Sequence, residues 1–207
     1  MMRDINQVFT AMGFAVLLFL TLPTCATIPH LTVNYRLPPG TDTLSGKKVV
    51  LIAQDARENR DLLTPRAYGS FKDFPGNISL SVTKQNEGPI SLGLYEPLFT
   101  VKEGIRRRLQ NEGAVVEYFG SEDEIQLVVV LNSFSLDLKD RKWIVEMGCE
   151  VRLIHDNKFL TSQSVSGRGE RIKMIGTEEA DIVMGEVFTD LINRIDIVGL
   201  FRRAKLI

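Results

Sequence analysis

The stretch that decides the fold runs from residue 125 to 173, IQLVVVLNSFSLDLKDRKWIVEMGCEVRLIHDNKFLTSQSVSGRGERIK. Its apolar residues recur at every second position, the period at which strand side chains share one face. Ile125, Leu127, Val129 and Leu131 are odd-numbered, whereas Phe134, Leu136 and Leu138 are even. A change of parity inside one run moves the apolar set to the other face, so a β-bulge or strand break is predicted near Asn132-Ser133. Asp140-Arg141 reads as a turn. The next strand alternates through Trp143, Val145, Met147, Cys149, Val151 and Leu153, against Lys142, Glu146, Glu150 and Arg152 on the other face. Cys149 and Trp143 are therefore read as core. Asp156-Asn157 makes a second hairpin turn, and Phe159 to Lys173 returns as a more polar strand.

Two helices flank this meander. Pro97 suits a first helical turn, Leu98, Val101, Ile105 and Leu109 lie on one stripe, and Gly113 ends it. The triplet Arg106-Arg107-Arg108 reads as a solvated helix face, with Arg107 and Arg108 kept as candidates for an acidic partner or lipid headgroups. Thr177 is expected to cap a last helix whose first turn carries Glu178, Glu179 and Asp181, and whose apolar face runs from Val183 to Ile195. Arg202, Arg203 and Lys205 then read as a basic tail.

Upstream, residues 47–53 (KKVVLIA) form a strand apolar on both faces, as a central, covered strand is. Residues 54–93 are the least regular segment and are read as a long insertion where binding specificity would sit. Inside it Ile78, Leu80 and Val82, then Ile90, Leu92 and Leu94, alternate as a hairpin. These elements predict an α+β fold: a mainly antiparallel sheet with two helices packed on one face, a two-layer sandwich. The open sheet face bearing Lys142, Glu146, Glu150 and Arg152 is the candidate partner surface.

The N-terminal end carries the address. Between Val8 and Leu22 no residue is charged, and the run is shorter than the roughly 20 residues a membrane-spanning helix needs. A short apolar run after Arg3 fits an export signal. It is followed by Leu22-Pro23-Thr24-Cys25-Ala26, which resembles the lipobox of bacterial lipoproteins, in which the cysteine is acylated and becomes the first mature residue. An ordinary cleaved signal and an uncleaved anchor are the alternatives. On this reading residues 1–24 are a signal peptide and Cys25 is the lipidation site. Residues 25–46, rich in proline, are a tether containing a short edge strand at Leu31, Val33 and Tyr35, and residues 47–207 are one domain. Ala26 after the cysteine implies export to the outer membrane.

The 207 residues are 44% hydrophobic and 25% charged, with a net charge of −1. That balance gives no basis for nucleic-acid binding. Two cysteines, one of them core and the other acylated, leave no disulfide framework. Walker, H-E-x-x-H, G-x-S-x-G and zinc-type spacings are absent. Gly167-Arg168-Gly169 is too short for a dinucleotide fingerprint, and His155 beside Asp156 reads as a turn residue rather than a catalytic pair. No enzyme, cofactor or metal is expected.

The order of lipobox, proline-spaced tether, KKVVLIAQDARENRD, VKEGIRRRLQNEG, the IQLVVVLNSFSLDL to EVRLI hairpin and TEEADIVMGEVFTDLINRI resembles the YajG-like family of bacterial outer-membrane lipoproteins. That resemblance implies a location and a fold, since the family has no established activity. In it the Asp55-Ala56-Arg57 step corresponds to an acidic-to-basic pattern, read as a local salt bridge or turn anchor. The expectation is a lipid-anchored, periplasm-facing accessory protein that holds to the membrane through its N-terminal lipid and binds an envelope protein. The alternative is an auxiliary lipoprotein of an envelope transporter that binds or gates a lipid in an apolar groove between sheet and helices. Oligomeric state is not legible.

Overall fold

A computed structural model describes residues 30–120 and 124–207. Among the described residues there are eight strands: β1 (Leu31–Arg36), β2 (Lys48–Asp55), β3 (Ile78–Thr83), β4 (Ile90–Tyr95), β5 (Val115–Glu117), β6 (Ile125–Lys139), β7 (Lys142–His155) and β8 (Lys158–Ile172). The helices are α1 (Pro65–Tyr68), α2 (Pro97–Asn111), α3 (Glu178–Arg194) and α4 (Ile197–Arg203). The strands form two sheets, in the orders β1-β3-β4 and β5-β2-β6-β7-β8.

The long meander follows the sequence closely. Strands β6, β7 and β8 pair antiparallel, and the β6/β7 register skips Asn132 between Leu131 and Ser133, where the parity of the apolar residues changes. Both hairpins turn on two residues of positive φ: 51° and 59° at Asp140 and Arg141, 49° and 57° at Asp156 and Asn157. That is the turn whose twist matches the strands it joins. Trp143, Val145, Met147, Cys149, Val151 and Leu153 are all buried. Strand β2 is central, as its double-sided apolar pattern requires, but it runs parallel to both β5 and β6. The connection from β2 to β5 contains α2, and a parallel pair requires a crossover of this length.

Four expectations are corrected. The sheet is not mainly antiparallel in one layer; there are two mixed sheets, with β1/β3, β2/β5 and β2/β6 parallel. Alternation reports which face a residue occupies and is silent on strand direction. Second, the segment 54–93 holds the expected hairpin, as β3/β4, but is not an insertion: it also supplies α1, and β3 is the middle strand of the smaller sheet. Third, the expected edge strand at Leu31, Val33 and Tyr35 is present as β1, but from Leu31 onward the expected tether over 25–46 is part of the fold: Leu31, Val33, Tyr35 and Leu44 are fully buried. Fourth, the basic tail is a helix, α4, capped by the Asp196 carboxylate, which accepts from the Gly199 N–H at 2.9 Å, and it buries Leu200 and Phe201. Thr177 stands at the N-cap of α3, but its side chain makes no capping bond.

The core is continuous across these parts. Phe188 of α3 meets Tyr35 of β1 edge-on, ring centroids 5.7 Å apart. It also lies so close to Gly104 of α2 that a Cβ there would sit 2.7 Å from its ring. Gly167 and Gly169 face α3 in the same way: a Cβ on Gly169 would sit 2.5 Å from Val187. The Gly-Arg-Gly step is thus a bed for helix packing. Arg168 between them turns to the opposite face and pairs with Glu146 at 3.1 Å.

Candidate functional site

The most developed surface feature lies where α3 runs beside β1, the outer strand of the small sheet. An unpaired strand edge presents a row of open N–H and C=O groups, which folded proteins cover or disrupt. Here α3 covers it with side chains. The Asp181 carboxylate accepts from the Thr32 N–H at 2.8 Å, and the Thr189 hydroxyl accepts from the Arg36 N–H at 3.2 Å and donates to the Asn34 carbonyl at 3.4 Å. The Asn193 amide donates to the Arg36 carbonyl at 3.1 Å, and its oxygen accepts from the Tyr35 hydroxyl at 2.9 Å.

The spacing explains why this works. Asp181, Gly185, Thr189 and Asn193 recur every four residues, about 6 Å along a helix. Alternate strand residues recur at about 6.6 Å, so helix and strand stay in step from Thr32 to Arg36. Gly185 is the point of closest approach: a Cβ there would lie 3.4 Å and 3.5 Å from the Asn34 backbone N and O. Burial raises the Asp181 carboxyl to about 6, opposed by the Thr32 N–H and by His30.

Outside this seam lies a groove of about 570 Å³. Asn34 and Arg36 form its strand side, and Ile182, Glu186, Thr189 and Asp190 its helix side. The Asn34 side chain is held by the hydroxyls of Thr83 at 2.8 Å and Ser81 at 3.3 Å. Sequence reading took α3 for its apolar stripe and acidic first turn. The signal it passed over is the four-residue repeat of small and polar residues on the neighbouring face.

A second groove, about 430 Å³, is lined by Leu62, Leu63, Pro65, Tyr68, Phe74 and Pro75. It lies within the irregular segment rather than between the large sheet and its helices.

Each of the predicted partner residues on β7 is engaged in an ion pair, two with charges on β8 and two with each other. Lys142 pairs with Glu170 at 2.6 Å, Glu146 with Arg168 at 3.1 Å, and Glu150 with Arg152 at 2.7 Å. The guanidinium beside Glu150 holds its carboxyl below the usual range. The arginine triplet is not a solvated face. Arg106 and Arg107 both bind Glu103, and Arg108 binds the buried Glu112, which also accepts from the Thr41 hydroxyl. Hydrogen bonds from its two arginines lower the Glu103 carboxyl against the opposing effect of burial. These pairs lock α2 to itself and to the loop between β1 and β2.

Asp55 and Arg57 form a two-point ion pair at 2.9 Å on each arm, which lowers the Asp55 carboxyl. His155 Nδ1 lies 3.2 Å from Asp156, at the turn where sequence placed it. Burial pushes the Cys149 thiol up to about 12, leaving it an unreactive core group. Cys25, the expected lipidation site, lies outside the described residues. Among the described residues no three His, Cys, Asp or Glu side chains are placed to hold a metal ion, and no helix is long and apolar enough to cross a membrane.

Neither a family model nor a curated protein matches this chain in sequence. Among solved structures it resembles a Xanthomonas campestris protein of the DUF330 family, with a TM-score of 0.53 and 15% identity over 87% of this chain and 97% of that one. Two others overlap too loosely to carry an argument. They are lipoprotein GNA1162 from Neisseria meningitidis (TM-score 0.40, 10% identity, 72% of this chain and 97% of that one) and a minor lipoprotein from Acinetobacter baumannii (0.41, 10%, 76% and 94%). The first likeness shows the fold, and the YajG-like resemblance rests on the sequence alone.

Proposed function

We propose that this chain is a lipid-anchored lipoprotein of the bacterial cell envelope, held at the outer membrane and facing the periplasm, and that it acts without catalysis by binding an envelope protein. The observation that carries the reading is the position of Cys25: only two residues separate it from the apolar run of residues 8–22, and only five from Leu31, where the first strand begins. A thiolate at the membrane surface is the nucleophile that acylation needs. Residues 1–24 are then removed, and the short segment 26–30 is the tether. One acyl chain gives only marginal membrane binding, so stable anchoring requires the several chains such a cysteine carries.

For the partner, the groove beside Asn34 and Ile182 is favoured over the charged face of β7. The charges on β7 are already neutralised by neighbours, whereas the groove is a concave surface of mixed polarity on two rigid elements. Crosslinking from a photoreactive residue at Ile182 in intact cells, followed by mass spectrometry, tests this. One dominant envelope protein is expected, and none captured from Ile182 while a residue on β7 captures one would reverse the assignment.

A second reading, a transporter accessory that binds or gates a lipid, draws on the apolar groove at Leu62, Leu63, Tyr68 and Phe74. Native mass spectrometry of the chain with Cys25→Ala, which removes the covalent lipid, tests it. Phospholipid retained through purification supports it, and a clean apo mass argues against it.

A further inference from the structure

We infer that the loop between β8 and α3, Lys173-Met174-Ile175-Gly176, is a bilayer-contact wedge that inserts Met174 and Ile175 into the interfacial region of the membrane to which the chain is anchored. The inference rests on the anchoring reading above, and its own support is geometric. Ile175 is 97% exposed and Met174 69% exposed, with Ile172 beside them at 59%. Contiguous large apolar side chains left in solvent mark a contact surface.

The base of this loop is fixed, so its tip is presented rather than left to collapse. The Lys173 N–H donates to the Arg141 carbonyl at 2.8 Å, its Nζ reaches the Ser70 hydroxyl at 2.7 Å, and the same ammonium sits 5.0 Å from the centre of the Trp143 ring. Gly176, at φ 85°, then turns the chain into α3.

The tether decides what covers the tip. The bonds of Thr32 to Asp181 and of Arg36 to Thr189 and Asn193 show that β1 and α3 run in the same direction. The start of β1 and the start of α3 therefore lie at one end of the molecule, and the loop immediately precedes α3. Five residues separate Cys25 from Leu31, a reach of about 20 Å when fully extended. An acylated Cys25 holds this end, and no other, against the bilayer. Apolar side chains of an interfacial contact enter by about 5–10 Å, within the reach of such a short tether. Glu178, Glu179 and Asp181 crowd the same end as Arg141 and Lys173, so opposite charges offset each other. The contact is then apolar and insensitive to salt.

The test uses the mature lipidated chain, beginning at Cys25, in vesicles of phosphatidylethanolamine and phosphatidylglycerol. Ile175→Cys is labelled with an environment-sensitive nitrobenzoxadiazole dye, since Cys25 is acylated and Cys149 is buried. The control is Lys158→Cys at the opposite end of β8, about 45 Å away along the strand. Nitroxide carried near the lipid headgroup is expected to quench the dye at 175 and not at 158, equally at low and high salt. If the protein floats with the vesicles but position 175 is no more quenched than 158, the wedge is wrong and the anchor stands. A blue-shifted dye that nitroxide lipid does not quench means that protein covers the loop, which also overturns the wedge. If wild-type chain fails to float, the anchoring reading fails and the wedge with it.

Discussion

The meander β6-β7-β8 and the small sheet β1-β3-β4 are built from equally good strand patterns, yet they are held by different means. In the meander each strand pairs with its chain neighbour through a two-residue turn, so the register is set at the turn and no pair, from Lys139↔Lys142 to Lys142↔Ile172, spans more than 30 residues. In the small sheet β1 pairs in parallel with β3, each residue with a partner 47 positions on, and its other edge is closed by side chains of α3 about 150 residues away. The meander contains its own instructions; the small sheet is assembled from distant parts and depends on one helix. Local and borrowed support predict different responses to damage.

The largest effect is expected in α3, the helix packed against both regions. Phe188→Ala removes the ring that touches Tyr35 and seats against Gly104, and truncating a buried Phe costs about 3–5 kcal/mol. Urea unfolding checks it. The comparison would break if native-state hydrogen exchange showed β7 amides losing protection before those of β1.

Gly185 sharpens the contrast. Its substitution by Leu forces a side chain against the Asn34 backbone and is expected to cost about 1–3 kcal/mol, with the Thr32 and Arg36 amides losing exchange protection while β6/β7 amides keep theirs. Gly185→Ala places only a methyl at ordinary contact distance. It should be neutral or stabilising by up to about 1 kcal/mol, because Ala is the better helix former.

The smallest effect is a pH dependence. With Asp181 raised to about 6 in the fold, against about 3.9 for an unfolded aspartate, the folded chain holds the extra proton between those values. Stability from this group therefore falls as pH rises from about 4 to about 6. Asp181→Asn keeps an acceptor for Thr32 and cannot ionise, so melting temperatures of variant and wild type should diverge over that window, in favour of the variant. Parallel curves would contradict it.

The same contrast explains what could be read from sequence. Parity located the bulge at Asn132, and two turns and a row of alternating apolar residues placed Trp143 and Cys149 in the core, because these signals act between near neighbours. Leu31, Val33 and Tyr35 show the same alternation, but nothing in it names β3 as the partner or gives the parallel direction. The helix-capped edge was hidden for a related reason. Asp181, Thr189 and Asn193 look like polar surface until the strand they satisfy is known. Arg108 likewise reads as solvent-facing because Glu112, four residues on, gives no sign of being buried. Cys25 is the reverse case, a site whose evidence is entirely local sequence.

The most direct measurement is metabolic labelling of the wild-type chain and of Cys25→Ala with radioactive palmitate, followed by separation of membrane and soluble fractions. The account predicts labelled wild-type protein in the outer-membrane fraction and an unlabelled variant released from it. Unlabelled wild-type protein free in the periplasm would contradict the anchor and the orientation built on it.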